Sequence, residues 1–148
     1  SADEASFLTK AVDVLLPKTD TPSASEVNVH VFIDKLIAET YNADAKARVR
    51  SGFDAFTSAI LSISGAESVA KVTEAQLEQA FTALYGERTD AIASEAYSFA
   101  GQFRGMVIDA YKSSEYVGEN VLAYLPVPGE YIACDDLDTL TGGVAWAE

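Results

Sequence analysis

Cysteine and histidine are almost absent from this sequence: 148 residues contain one of each, Cys134 and His30. A lone cysteine has no internal partner for a disulfide, and one histidine cannot build a His-rich metal site. Zinc ribbons, haem-attachment CxxCH motifs, iron–sulfur ligand sets and a hydrolase triad drawing on several histidines are all unsupported. Long apolar runs are missing too. None approaches the ~18 to 20 residues that a bilayer span needs, so membrane insertion is not expected. No phosphate-binding loop, GxGxxG, GxSxG or HExxH occurs, which moves the reading away from catalysis and leaves no cofactor motif. Bases are scarce: ten Lys and Arg stand against 23 Asp and Glu, a net charge of −13. Such a chain repels phosphate backbones and anionic bilayer surfaces, so no nucleic-acid partner is expected. The scarcity is steepest after Lys112, where residues 113–148 hold seven acids and no base.

What is present is the composition of a folded protein, 49% hydrophobic and 22% charged, in a length that suits a single core. Five segments carry the i, i+3, i+4 spacing of amphipathic helices. The first, Asp3 to Leu16, aligns Phe7, Leu8, Ala11, Val12 and Leu15, and Pro17 ends it. An ordered loop rich in turn formers, 17–25, leads to a second helix from about Glu26 to Tyr41, with Val29, Phe32, Ile33, Leu36 and Ile37 inward. A third runs from about Asp44 to Ile63 through Val49, Phe53, Phe56 and Ile60, with Gly65 as its stop. Thr73-Glu-Ala-Gln76 is a capping box; it opens a short helix that turns Leu77, Ala80, Phe81 and Leu84 inward. The longest helix spans about Thr89 to Lys112, with Ile92, Ala96, Phe99, Phe103, Met106 and Ala110 as its stripe. Its Gly101 and Gly105 each cost roughly 1 kcal/mol of helix propensity, which suggests close approach of a neighbouring helix. The expectation is an all-α single domain of about five helices, a body over 3–112 and a long, largely irregular extension over 113–148.

The extension mixes turn formers, two prolines and the aromatics Tyr116, Tyr124, Tyr131 and Trp146. That content argues against plain disorder and for an ordered segment laid over a surface. Cys134-Asp-Asp-Leu-Asp138 superficially suggests a calcium loop. It lacks the glycine at the sixth position and the glutamate at the twelfth, so it reads as a solvated acidic loop. His30, with no second His or Cys nearby, reads as a structural or surface residue. Cys134 reads either as a small buried hydrophobe or as a thiol for an intermolecular bridge.

Several motifs together resemble the gluconate 2-dehydrogenase subunit 3 family. They are Leu15-Leu-Pro-Lys-Thr-Asp-Thr-Pro22, Val29-His-Val-Phe-Ile-Asp34, Tyr111-Lys-Ser-Ser-Glu115, Gly118-Glu-Asn-Val-Leu-Ala-Tyr124, Pro126-Val-Pro-Gly-Glu-Tyr131, Cys134 and Gly143-Val-Ala-Trp146. Ser23 departs from the glycine common in the family after Thr-Pro, which puts the turn of that loop in question. The resemblance implies a helical accessory subunit that binds no flavin itself and is exported to the periplasm by the twin-arginine pathway. Its partner would be a flavoprotein large subunit of the GMC (glucose–methanol–choline) class, in a complex passing electrons to a cytochrome c or a quinone. The chain begins at Ser1 without Met, which fits a processed or trimmed protein whose export signal lies upstream. Candidate partner-interface residues are Tyr111, Tyr116, Tyr124, Pro126, Pro128, Tyr131, Cys134 and Trp146. Tyr and Trp anchor interfaces well, and Cys134 could bridge to a cysteine of the large subunit. The rival reading has the aromatics completing the protein's own core. Two other functions stay open: a stand-alone exported binding module, and an enzyme acting on a small substrate.

Overall fold

The computed structural model describes residues 1–124, 129 and 134–147. Its regular elements are helices: α1 (Ala2–Leu15), α2 (Val29–Thr40), α3 (Ala43–Ser64), a 3-10 turn (Val69–Lys71), α4 (Glu74–Tyr85), α5 (Ser94–Lys112), α6 (Glu115–Asn120) and α7 (Leu137–Thr141). The all-α expectation holds. Helix α5 is the central element; it packs most extensively along α3 and also receives α1, α2 and α4.

The core is a phenylalanine cluster. Phe56 of α3 is fully buried, and ring centroids of Phe7, Phe81, Phe99 and Phe103 lie 6.4, 6.1, 5.4 and 5.6 Å from its own. Phe53 joins through Phe7 and Phe99 at edge-on geometry. Such tilted and edge-to-face contacts add to what burial alone contributes. Six of the chain's seven phenylalanines therefore meet in one place. The seventh, Phe32, does not: it is 49% exposed on α2, contrary to its place in the helical stripe. Burial of α2 is carried by Val29 and Ile33 instead.

Capping decides several boundaries. The Thr73 hydroxyl accepts from the Gln76 amide while the Gln76 side chain accepts from Thr73, the reciprocal box the sequence spells out. Gln76 also donates to the Ser64 carbonyl, tying the end of α3 to the start of α4. Helix α5 starts at Ser94, five residues later than the apolar spacing suggests. The Tyr97 hydroxyl accepts from the Thr89 amide at 3.0 Å and Arg88 lies over the Tyr97 ring, which holds 88–93 as a loop. Tyr85 bonds the Ala100 carbonyl across α4 and α5, and burial pushes its hydroxyl up to about 12 despite nearby Arg104.

The glycines correct one expectation. An added Cβ at Gly101 or Gly105 would meet nothing within 4 Å, so no helix approaches them closely. The close approach is at Gly52 of α3, where a Cβ would stand 2.6 Å from Phe99 Cδ2.

The loop between α1 and α2 is firmly tied. Asp13 accepts from the amide and hydroxyl of Ser25 at 2.7 and 2.6 Å, and Glu26 accepts from the Ser23 amide and from Lys18. Ser23 is buried and does not take a positive φ, which among the described non-glycine residues occurs only at Asn28. Serine is thus accommodated in that turn without strain.

Candidate functional site

Past α5 the chain changes character. Ser114 opens the six-residue helix α6, whose Val117 is buried; 115–120 is helical where turn formers suggest a loop. Val117 is the only buried residue among the described residues of the extension. The chain then returns on itself. The Ala123 amide donates to the Ala145 carbonyl at 2.8 Å and the Ala147 amide to the Ala123 carbonyl at 2.9 Å, forming a parallel bridge between Ala123 and Trp146.

The extension also carries apolar side chains that face water. Large hydrophobics more than a third exposed number eight among the described residues, and five lie here: Tyr116, Tyr124, Leu137, Val144 and Trp146. This density of exposed apolar side chains along the chain makes the extension the candidate interaction surface. Tyr116, Tyr124 and Trp146 come from the sequence-derived set. Leu137 and Val144 were missed, because one lies within Asp-Asp-Leu-Asp and the other beside paired glycines, and neither shows a periodic pattern. Their only advance signal was membership of an acidic, aromatic-rich tail.

The other candidates divide. Tyr111 belongs to the body: its hydroxyl donates to the Pro22 carbonyl at 2.7 Å and its ring packs against the core. It clamps the end of α5 to the tied loop. Cys134 is exposed, next to exposed Asp135 and Asp136. Pro126, Pro128 and Tyr131 lie outside the described residues.

The surface is acidic as well as apolar, since no base follows Lys112 in the sequence. Among the described residues, no group of three His, Cys, Asp or Glu side chains is placed to hold a metal ion, and no helix is long and apolar enough to cross a membrane. What this arrangement offers is a docking face: exposed aromatics to bury, and carboxylates to meet bases at the rim.

A family model described as gluconate 2-dehydrogenase subunit 3 matches residues 2–129. The match covers the helical body, Tyr116 and Tyr124, and stops short of Cys134 and of Gly143 to Trp146. No curated protein and no solved structure matches the chain.

Proposed function

Because the chain belongs to the gluconate 2-dehydrogenase subunit 3 family, we propose that it is the non-catalytic small subunit of a periplasmic, flavin-dependent dehydrogenase complex. In this reading it stabilises a GMC-class flavoprotein and travels with it through the twin-arginine pathway, one signal peptide serving both. Family membership implies assembly with other gluconate dehydrogenase subunits; the nature of the large subunit, the route of export and any cytochrome c are the finer parts of the proposal. The observation that carries it is the exposed aromatic tail. Five large apolar side chains held in water by an otherwise well-buried protein are costly unless a partner covers them. Tyr and Trp bury large areas there at low entropic cost.

Co-expression with a GMC-class flavoprotein, sought among the reading frames beside this chain's gene, and affinity capture of the small subunit tests this. The expected result is co-purification with wild type and its loss with the double substitution Tyr124→Ala and Trp146→Ala, the helical signal of the small subunit being unchanged. Capture of the flavoprotein by the double variant at the wild-type level would remove the tail from the interface.

A further inference from the structure

A cavity of about 470 Å³ opens between α2 and α3, with α1 and α5 completing its walls and no residue of the tail lining it. Its volume falls within the range of small-molecule sites, which are concave, mostly apolar and supplied with few polar groups. Half-buried Leu8 of α1, Ile37 of α2, Val49 and Phe53 of α3 and Met106 of α5 line it, above a floor of buried phenylalanines. Helices α2 and α3 are consecutive in the chain; both lean on α5, and Lys46 reaches the Ala38 carbonyl between them. The cleft is the gap this leaves.

The polar groups at its edge are mostly committed. Arg50 bonds Glu4 at 2.7 Å and Asp54 at 2.9 Å, and Lys46 donates to the Ala38 carbonyl at 2.7 Å. Asp34 stands exposed at the mouth, and the exception in the interior is His30. It lines the cleft, and its Nδ1 is buried with no hydrogen-bond partner among the described residues. A buried ring nitrogen without a partner is uncommon, since interior polar atoms are nearly always satisfied. We propose that the α2–α3 cleft binds a small, largely apolar ring compound carrying one hydroxyl, with its ring against Val49, Phe53 and Met106 and its hydroxyl donating to the His30 imidazole. Nδ1 is sealed with the cleft empty, so the ligand reaches it with a turn of the imidazole about its Cβ–Cγ bond. Glu4, Arg50 and Lys46 are engaged within this chain and Asp34 stands exposed at the mouth, so the interior presents apolar walls and one orphaned nitrogen, which favours a neutral small molecule over a charged partner segment.

Phenol and toluene are the probes, because they share a ring and differ by hydroxyl against methyl. In an apolar cleft with no acceptor, phenol binds more weakly than toluene, since its hydroxyl loses water without replacement. A hydroxyl met by His30 reverses that order. His30 is the chain's only histidine, so the imidazole resonances of the full-length protein report on one site in NMR titrations. The expected result is a saturable shift of those resonances with phenol and tighter binding of phenol than of toluene. His30→Phe keeps an aromatic ring and removes the nitrogen; there, toluene becomes the tighter ligand. Val49→Phe narrows the cleft from α3 and weakens both by tenfold or more, with the amide spectrum otherwise retained. If Val49→Phe fails to fold, the wild-type and His30→Phe comparison decides alone. No saturable shift with either probe, toluene binding tighter in wild type, an unchanged order in His30→Phe, or undiminished binding by a folded Val49→Phe overturns the proposal.

Discussion

At Gly52 the backbone of α3 meets the Phe99 ring so closely that a methyl group would stand 2.6 Å from Cδ2. Phe99 is itself wedged among Phe53, Phe56 and Phe103, so it cannot retreat cheaply. Gly52→Ala should therefore destabilise by about 1–3 kcal/mol, the usual range for overpacking a core. Gly101→Ala, on an open face of α5, should stabilise by up to ~1 kcal/mol through helix propensity alone. Urea midpoints of the two variants, moving in opposite directions, check this. Glu4 offers a pH signature. Hydrogen bonds from the Ser1 amino group and from Arg50 hold its carboxyl at about 2, below its ordinary 4.5. A carboxyl lowered on folding stabilises the native state when ionised, so its contribution is complete above pH 4.5 and disappears as pH falls toward 2. Glu4→Gln should be less stable than wild type at pH 7, by a small margin because the pair is solvent-screened. Denaturation over a pH series should show the two converging across that window.

Among the elements, α3 and α4 were the most legible in advance. Their apolar spacing is unbroken, and Thr73 with Gln76 writes the start of α4 into four residues. Phe32 shows what periodicity cannot give: it marks one broad face of α2, and only the position of α5 decides which edge of that face reaches the core. The late start of α5 was hidden for a similar reason, since the Tyr97–Thr89 bond that holds the loop joins residues eight apart with no local motif. In the candidate site, Tyr116, Tyr124 and Trp146 are readable as aromatics without a helical stripe, whereas Tyr111 falls at the end of the predicted helix 89–112, and its hydroxyl, in reach of the Pro22 carbonyl, ties it to the body. Among the described residues, the extension contributes one buried side chain, Val117, and none to the main core cluster. Truncation after Lys112 should thus leave a cooperatively folded body with the helical circular-dichroism signature of α1 to α5, and abolish capture of the flavoprotein. A body that unfolds on truncation would place the tail in the core instead.

For the molecule as a whole, charge and apolarity are distributed unequally between body and tail. Seven acids without a base in residues 113–148 call for a partner face that carries Lys or Arg around its apolar centre. Association should then slow and weaken as salt is raised through the range where the Debye length falls from ~10 Å toward 3 Å; stopped-flow mixing at several salt concentrations measures it. The chain's single tryptophan, Trp146, sits on this tail, 44% exposed and far along the chain from the phenylalanine core. Its emission consequently reports on the tail and is nearly blind to melting of the helices, which far-ultraviolet dichroism sees. Coverage of the tail by a second protein would shift that emission to the blue while the body stays optically silent, giving each half of the molecule its own colour.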